Sequence, residues 1–223
     1  MSQTSPVRIV VVDDHPMFRG ALVQALSSGT SANGSPFELQ EAGNFEELQS
    51  ILATDVDIDL VLLDLSMPGA SGVANLISLR GDHEDVPVIV VSARDDQATV
   101  VRSIKLGASG FISKSAGIET VREAIDCVLQ GNIWHPDDID LEADDDETTD
   151  ILHQISSLTP QQTKVLVMIS EGLLNKQIAF ELNVSEATVK AHVSAVLQKL
   201  DVDSRTQAVI QLNKLGPDAI AAQ

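Results

Sequence analysis

Tyrosine is absent from this 223-residue chain, tryptophan occurs once (Trp134), and aromatic residues make up only 3% of it. That leaves little with which to line an aromatic ligand pocket. The single cysteine, Cys127, cannot form an internal disulfide, which fits a reducing compartment. No apolar run is long enough to cross a bilayer. The N-terminus has no basic stretch followed by an apolar one, so no secretion signal is expected, and the expected location is the cytoplasm. Basic residues are scarce, 14 against 33 acidic ones, for a formal net charge of −19. Such a balance looks wrong for a nucleic-acid binder until its distribution is read.

The distribution is uneven. Residues 1–130 hold 8 basic and 18 acidic groups, residues 131–155 hold none and 9, and residues 156–223 hold 6 of each. The acidity belongs to the first domain and the linker, and the last segment is neutral. A length of 223 residues and a hydrophobic content of 43% allow two modest domains with cores of their own. The boundaries read from composition are 1–130, a linker at 131–155, and 156–223. The acid-rich stretch Asp137 to Asp150 predicts a solvated, extended spacer. Its charge also makes it a candidate to lie electrostatically over a basic flank of the last segment.

Residues 1–130 alternate short apolar runs with helical patterns. Strands are predicted at 7–12, 37–42, 59–63, 86–91 and 109–112, and helices at 16–28, 45–53, 72–80, 96–106 and 117–130. Pro16 suits a first helical turn, and Asn44 with Glu47 forms a capping box. The Ser, Gly and Asn between Ser27 and Pro36 predict a mobile surface loop. Five βα units imply an α/β, doubly wound, five-stranded parallel sheet with helices on both faces. Punctuation in the last segment predicts a small all-α helix-turn-helix domain. Thr159-Pro160 starts one helix and Gly172 ends it, Asn175 caps a second, and Asn183 takes a left-handed turn. Ser185 caps a longer helix to about Leu200, and Ser204 with Gln207 opens the last.

The chemistry sits where the apolar runs end: Asp13 and Asp14 after IVVV, Asp64 after LVLL, Ser92 after VIVV and Lys114 after GFIS. In an open α/β sheet the carboxyl ends of the strands are where ligands bind. Three carboxylates, a hydroxyl and an ammonium on one rim suit a divalent cation and a phosphoryl group. The five histidines, His15, His83, His135, His153 and His192, have no metal-ligand spacing. His15 reads as a cap of the first helix, Cys127 as core filler, and Trp134 as closing the end of the first domain.

With IVVVDDHP, LVLLDLSMPGASG, VIVVSAR and GFISKS, residues 1–130 resemble a bacterial two-component receiver domain. Residues 156–215 resemble the LuxR-type helix-turn-helix, through LTPQQTKVL, GLLNKQIAFELNVSEATVKAHVSAVLQKL and SRTQAV. Together they resemble a response regulator of the NarL/FixJ type. The resemblance implies Asp64 as phosphoacceptor, Mg²⁺ held by Asp13, Asp14, Asp64 and the backbone carbonyl of Ser66, and Lys114 and Ser92 bonded to phosphoryl oxygens. It implies Phe111 as an aromatic switch. Ser66 and Arg94 flank the expected phosphoryl position.

On the long helix Val189, Val193, Val196, Leu197 and Leu200 gather on one face, leaving Ala187, Ala191, Ser194, Ala195 and Gln198 opposite. Lys190, Ala191, Ser194 and Gln198 are the candidates for base edges. Ser185, Thr188, His192, Lys199 and Arg205 are the candidates for phosphates. A domain of zero net charge should bind one half-site weakly, so a homodimer is expected, with Ala208, Val209 and Leu212 of the last helix as its seam. The implied partners are a sensor histidine kinase, promoter DNA, a second copy of the chain and RNA polymerase, with no membrane. No enzyme activity is expected beyond the chain's own phosphoryl acceptance and loss.

Three other functions compete. A phosphate-independent protein-binding module is disfavoured by the intact five-residue site. An aspartate-based phosphatase usually needs a second acid two residues after the nucleophile, where this chain has Ser66. An acyl-homoserine-lactone sensor with the same C-terminal helices would need the aromatic pocket that the composition denies.

Overall fold

The computed structural model describes residues 5–54, 57–67, 72–142 and 146–214. Five strands alternate with helices in the order β1 (Val7–Val12), α1 (Pro16–Ser27), β2 (Phe37–Ala42), α2 (Phe45–Leu52), β3 (Leu60–Asp64), α3 (Gly72–Asp82), β4 (Val88–Ser92), α4 (Gln97–Lys105), β5 (Gly110–Ser113) and α5 (Ile118–Leu129). Five helices follow: α6 (Asp146–Ser156), α7 (Pro160–Ser170), α8 (Asn175–Glu181), α9 (Glu186–Lys199) and α10 (Arg205–Lys214). The strands form one all-parallel sheet in the order β2-β1-β3-β4-β5.

Runs of Val, Ile and Leu in β1, β3 and β4 are buried on both faces, as strands between two helical layers must be. Ile9, Val11, Leu62, Val91 and Ile112 pack with Leu22 and Leu26 of α1 and with Val121, Ile125 and Val128 of α5. The alternate residues Val10, Val12, Val61, Leu63, Val90 and Phe111 are equally buried. Removing each such side chain from water contributes roughly 1.5–3 kcal/mol. Strand β1 lies between β2 and β3, so the connections leave it in opposite directions, and the crevice beyond the ends of β1 and β3 is the switch point of the sheet.

Contacts divide the chain into two units, residues 1–68 with 85–141, and residues 69–84 with 142–223. Helix α3 groups with the C-terminal helices: it packs on α7, where Lys164 Nζ lies 2.7 Å from Asp82. Thr159 caps α7 through the Gln162 amide, and the Gln162 side chain answers to the Thr159 N–H. Gly172 (φ +86°) and Asn183 (φ +52°) take the left-handed turns expected of them. Val165, Ile169, Ile178, Ala179 and Val189 form the core that sets α7, α8 and α9 against one another.

Several expectations need correction. The spacer is not extended throughout, because Asp146–Ser156 is a helix that buries Ile151, Leu152 and Ile155. Asp144 and Asp145 lie outside the described residues. The loop expected to be mobile closes on itself: Thr30 bridges Pro36, and the Ala32 N–H bonds Asp126 of α5 at 2.8 Å. Leu174, not Asn175, precedes the first turn of α8, and its N–H goes to the Gln177 side chain at 2.8 Å. Cys127 is half-buried rather than core. Ala208 and Leu212 are fully buried in their own unit, where α10 packs on α7, so neither can form a dimer seam.

Candidate functional site

Two of the proposed residues end their strands as members of the ladder. Asp64 pairs with Val91, and Ser92 pairs with Ser113. Lys114 follows β5, and its N–H bonds the Ser92 carbonyl at 2.7 Å, which fixes the root of the lysine beside the hydroxyl residue. Asp13 follows β1, held by its N–H on the Ala42 carbonyl at 3.1 Å and by Arg19 on its own carbonyl.

Lys114 Nζ reaches between two carboxylates, 2.9 Å from Asp64 Oδ2 and 2.7 Å from Asp13 Oδ2. Asp64 is 0% exposed and Asp13 2%, so their charges are desolvated and need compensation. The other oxygen of Asp64 accepts the Ser66 N–H at 2.9 Å. The Lys114 ammonium also stands 4.8 Å from the centre of the Phe18 ring. Burial pulls the lysine's pKa down, but hydrogen bonds and charge from Asp13 and Asp64 outweigh it and hold the group above the ordinary lysine value.

Beside Asp13 and Asp14 stands a residue that the sequence marked only as a cap. His15 occupies the N-cap of α1 but makes no capping bond with its side chain. Its Nδ1 instead lies 2.8 Å from Asp14 Oδ1 and 3.2 Å from Asp13 Oδ1. One ligand atom from each of Asp13, Asp14, His15 and Asp64 falls within 4.8 Å of the others. Lys114 contacts Asp13 and Asp64, and Asp13 Oδ2 and Asp14 Oδ1 are shielded from water, the first against Lys114 Nζ and the second against His15 Nδ1. Hard oxygen donors with surplus negative charge fit Mg²⁺.

Ser92 is 2% exposed, and its Oγ accepts the Arg94 N–H at 3.1 Å. Ala93, Arg94 and Ser66 stand exposed on the rim. Phe111 lies in the core at 0% exposure, already in the inward position that the switch reading reserves for the activated state.

Helix α9 presents Thr188, Lys190, Ala191, Ser194 and Gln198 to solvent, the face expected to meet bases. Ser185 caps the helix, its Oγ accepting the Thr188 N–H at 3.1 Å. Lys190 pairs with Glu186 one turn earlier at 3.1 Å. His192 is half-buried. Two expected phosphate contacts are engaged internally: Lys199 Nζ bonds the Ser157 carbonyl at 2.6 Å, and Arg205 bonds the Leu173 carbonyl and approaches Asn175. Their long-range carbonyl partners left no mark in the local sequence.

A five-stranded parallel sheet with a carboxylate–lysine crevice at its switch point, joined to a helix-turn-helix, defines a two-component transcriptional regulator. Residues 9–126 match the model of the response regulator receiver domain, and residues 156–212 match that of the bacterial regulatory proteins of the luxR family. The glycerol metabolism activator of Pseudomonas putida is 38% identical over 213 residues, covering 91% of this chain and 93% of its own. The nitrate/nitrite response regulator protein NarL of Escherichia coli is 33% identical over 221 residues, covering 96% and 98%. Among solved structures, the RcsB response regulator of Salmonella typhimurium shares the fold at a TM-score of 0.54 and 20% identity, covering 94% of this chain and 99% of that one. The chain belongs to the response regulators of the NarL/FixJ type. Among the described residues no helix is long and apolar enough to cross a membrane.

Proposed function

We propose that this regulator is switched by transfer of a phosphoryl group from a sensor histidine kinase to Asp64, and that the switched form dimerises on promoter DNA. In the transfer an Asp64 oxygen attacks phosphorus, the P–O bond forms as the P–N bond to the kinase histidine breaks, and the histidine leaves with the bond's electron pair. The observation that supports this most is the buried Asp64–Lys114–Asp13 contact at the sheet's switch point.

Each residue has a part in that step. Lys114 is pre-positioned as the fixed cation for a phosphoryl oxygen, so no charge has to be brought in as the transition state forms. The Ser66 amide orients the Asp64 carboxylate. Mg²⁺ held by Asp13, Asp14, Asp64 and the Ser66 carbonyl would screen the repulsion between two anions. Ser92, whose Oγ accepts the Arg94 N–H, keeps its O–H to donate to a phosphoryl oxygen. No separate substrate is turned over in this reading, which places the protein in the cytoplasm with its kinase and its promoters.

For DNA, the exposed small residues of α9 allow close approach to the major groove, with Lys190, Ser194 and Gln198 for base edges. A unit with few free cations gains most from two copies on a palindrome, and the assembled pair then meets RNA polymerase at the promoter. The test is anisotropy on a duplex selected from a random pool, with and without Mg²⁺ and beryllofluoride. Tighter binding with the analogue, at two chains per duplex, is expected. Equal binding in both states would leave a phosphate-independent module.

A further inference from the structure

Residues 132–140 leave α5 and turn back along the open edge of β5. Trp134 brackets Gly110, its N–H bonding the Ser109 carbonyl at 3.2 Å and its carbonyl accepting the Phe111 N–H at 2.8 Å, as in a parallel strand one residue long. Gly110 eases this approach: a Cβ there would crowd the Cβ and carbonyl oxygen of Trp134 and Cγ1 of Ile89, each at 3.3 Å. Beyond it the Ile139 N–H returns to the Pro136 carbonyl at 3.1 Å, and the Ile139 side chain is buried. At Asp140 the Gln97 carboxamide grips both backbone groups, donating to the carbonyl and accepting the N–H at 3.2 Å. A bare edge strand presents unpaired N–H and C=O groups, and here the chain's own segment takes up the Phe111 N–H and the Ser109 carbonyl.

Both anchors adjoin the switch chemistry. Gln97 is the first residue of α4, directly after Asp96, which caps that helix through the Thr99 N–H at 3.0 Å and the Thr99 hydroxyl at 2.8 Å. Only Ala93 to Asp96 separate it from Ser92, whose Oγ holds the Arg94 N–H in that loop. Phe111, whose N–H carries Trp134, lies on β5 three residues before Lys114. A Ser92 side chain drawn toward a phosphoryl oxygen either carries the Arg94 N–H with it or breaks that bond, and both shift the loop that positions Gln97. The Gln97 clamp consists of exposed hydrogen bonds, the kind a loop shift breaks readily.

We propose that residues 132–140 are a strap, held across the β5–α4 edge in the unphosphorylated protein and released at Gln97 when Asp64 carries a phosphoryl group. The freed segment is the one that leads in sequence to α6 and the DNA-binding helices. The strap is thus the route by which the receiver signals, and it rests on the phosphoacceptor reading above.

Trp134 is the only tryptophan, so its emission reports the strap directly. The experiment follows that emission and hydrogen exchange over 132–141 in the full chain. The samples are the parent, the parent with Mg²⁺ and beryllofluoride, and Gln97→Ala without the analogue. Fluorine NMR reports the beryllofluoride adduct separately. Exchange faster by about tenfold is expected in both altered samples, with emission shifted the same way. A formed adduct with unchanged exchange overturns the strap alone, and so does a Gln97→Ala protein indistinguishable from the parent. If no adduct forms, the phosphoacceptor reading fails and the release falls with it.

Discussion

Lys114 donates to Asp64 across 2.9 Å, tying the residue after β5 to the last residue of β3. The same ammonium pairs with Asp13, so one cation compensates two desolvated carboxylates. A phosphoryl group or a divalent cation entering the crevice meets charges already held in place.

The cost of losing that cation should be large. Lys114→Ala leaves Asp13 and Asp64 buried without a counter-charge, and the expected destabilisation is about 3–5 kcal/mol. Urea denaturation measures it. Mg²⁺ should restore part of the loss and stabilise the variant more than the parent. Equal Mg²⁺ effects on both would mean the cation does not bind at these carboxylates.

Lys190 is exposed, and its pair with Glu186 is a surface one worth a few tenths of a kcal/mol. Lys190→Ala should therefore leave the melting temperature almost unchanged while costing roughly 1–3 kcal/mol of affinity for a selected duplex. Glu186→Gln should act oppositely, strengthening binding by freeing the lysine. Anisotropy titrations at two salt concentrations check both.

Arg205 should behave as a structural residue. It joins the start of α10 to the Leu173 carbonyl in the turn before α8, and Arg205→Ala leaves that acceptor unpaired at a cost of about 1–3 kcal/mol. The salt dependence of DNA binding by the folded variant should match the parent, because no phosphate contact is lost. A slope shallower by about one unit would instead place Arg205 on the DNA.

What the sequence disclosed follows from the range of the forces involved. Strands β1, β3 and β4 are legible because runs such as IVVV and LVLL can be buried on both faces only between helices, and Thr159, Ser185, Gly172 and Asn183 are legible because capping and left-handed turns are decided within a few residues. Asp13, Asp14, Asp64, Ser92 and Lys114 come together because parallel strands bring their carboxyl ends to one rim. His15 looked like a side-chain cap because its contacts with Asp13 and Asp14 depend on the turn they share. Lys199 and Arg205 looked free because their carbonyl partners lie 42 and 32 residues away. The apolar stripe of α10 announced burial without saying by what, and Ala208 and Leu212 proved to face their own unit. The acidic composition near 146 hid a helix held by Ile151, Leu152 and Ile155.

The most direct test of the central claim is the intact mass of the protein after incubation with Mg²⁺ and acetyl phosphate, beside Asp64→Asn. One phosphoryl adduct on the parent and none on the variant is the predicted result. An adduct that persists in the variant would contradict the assignment of Asp64.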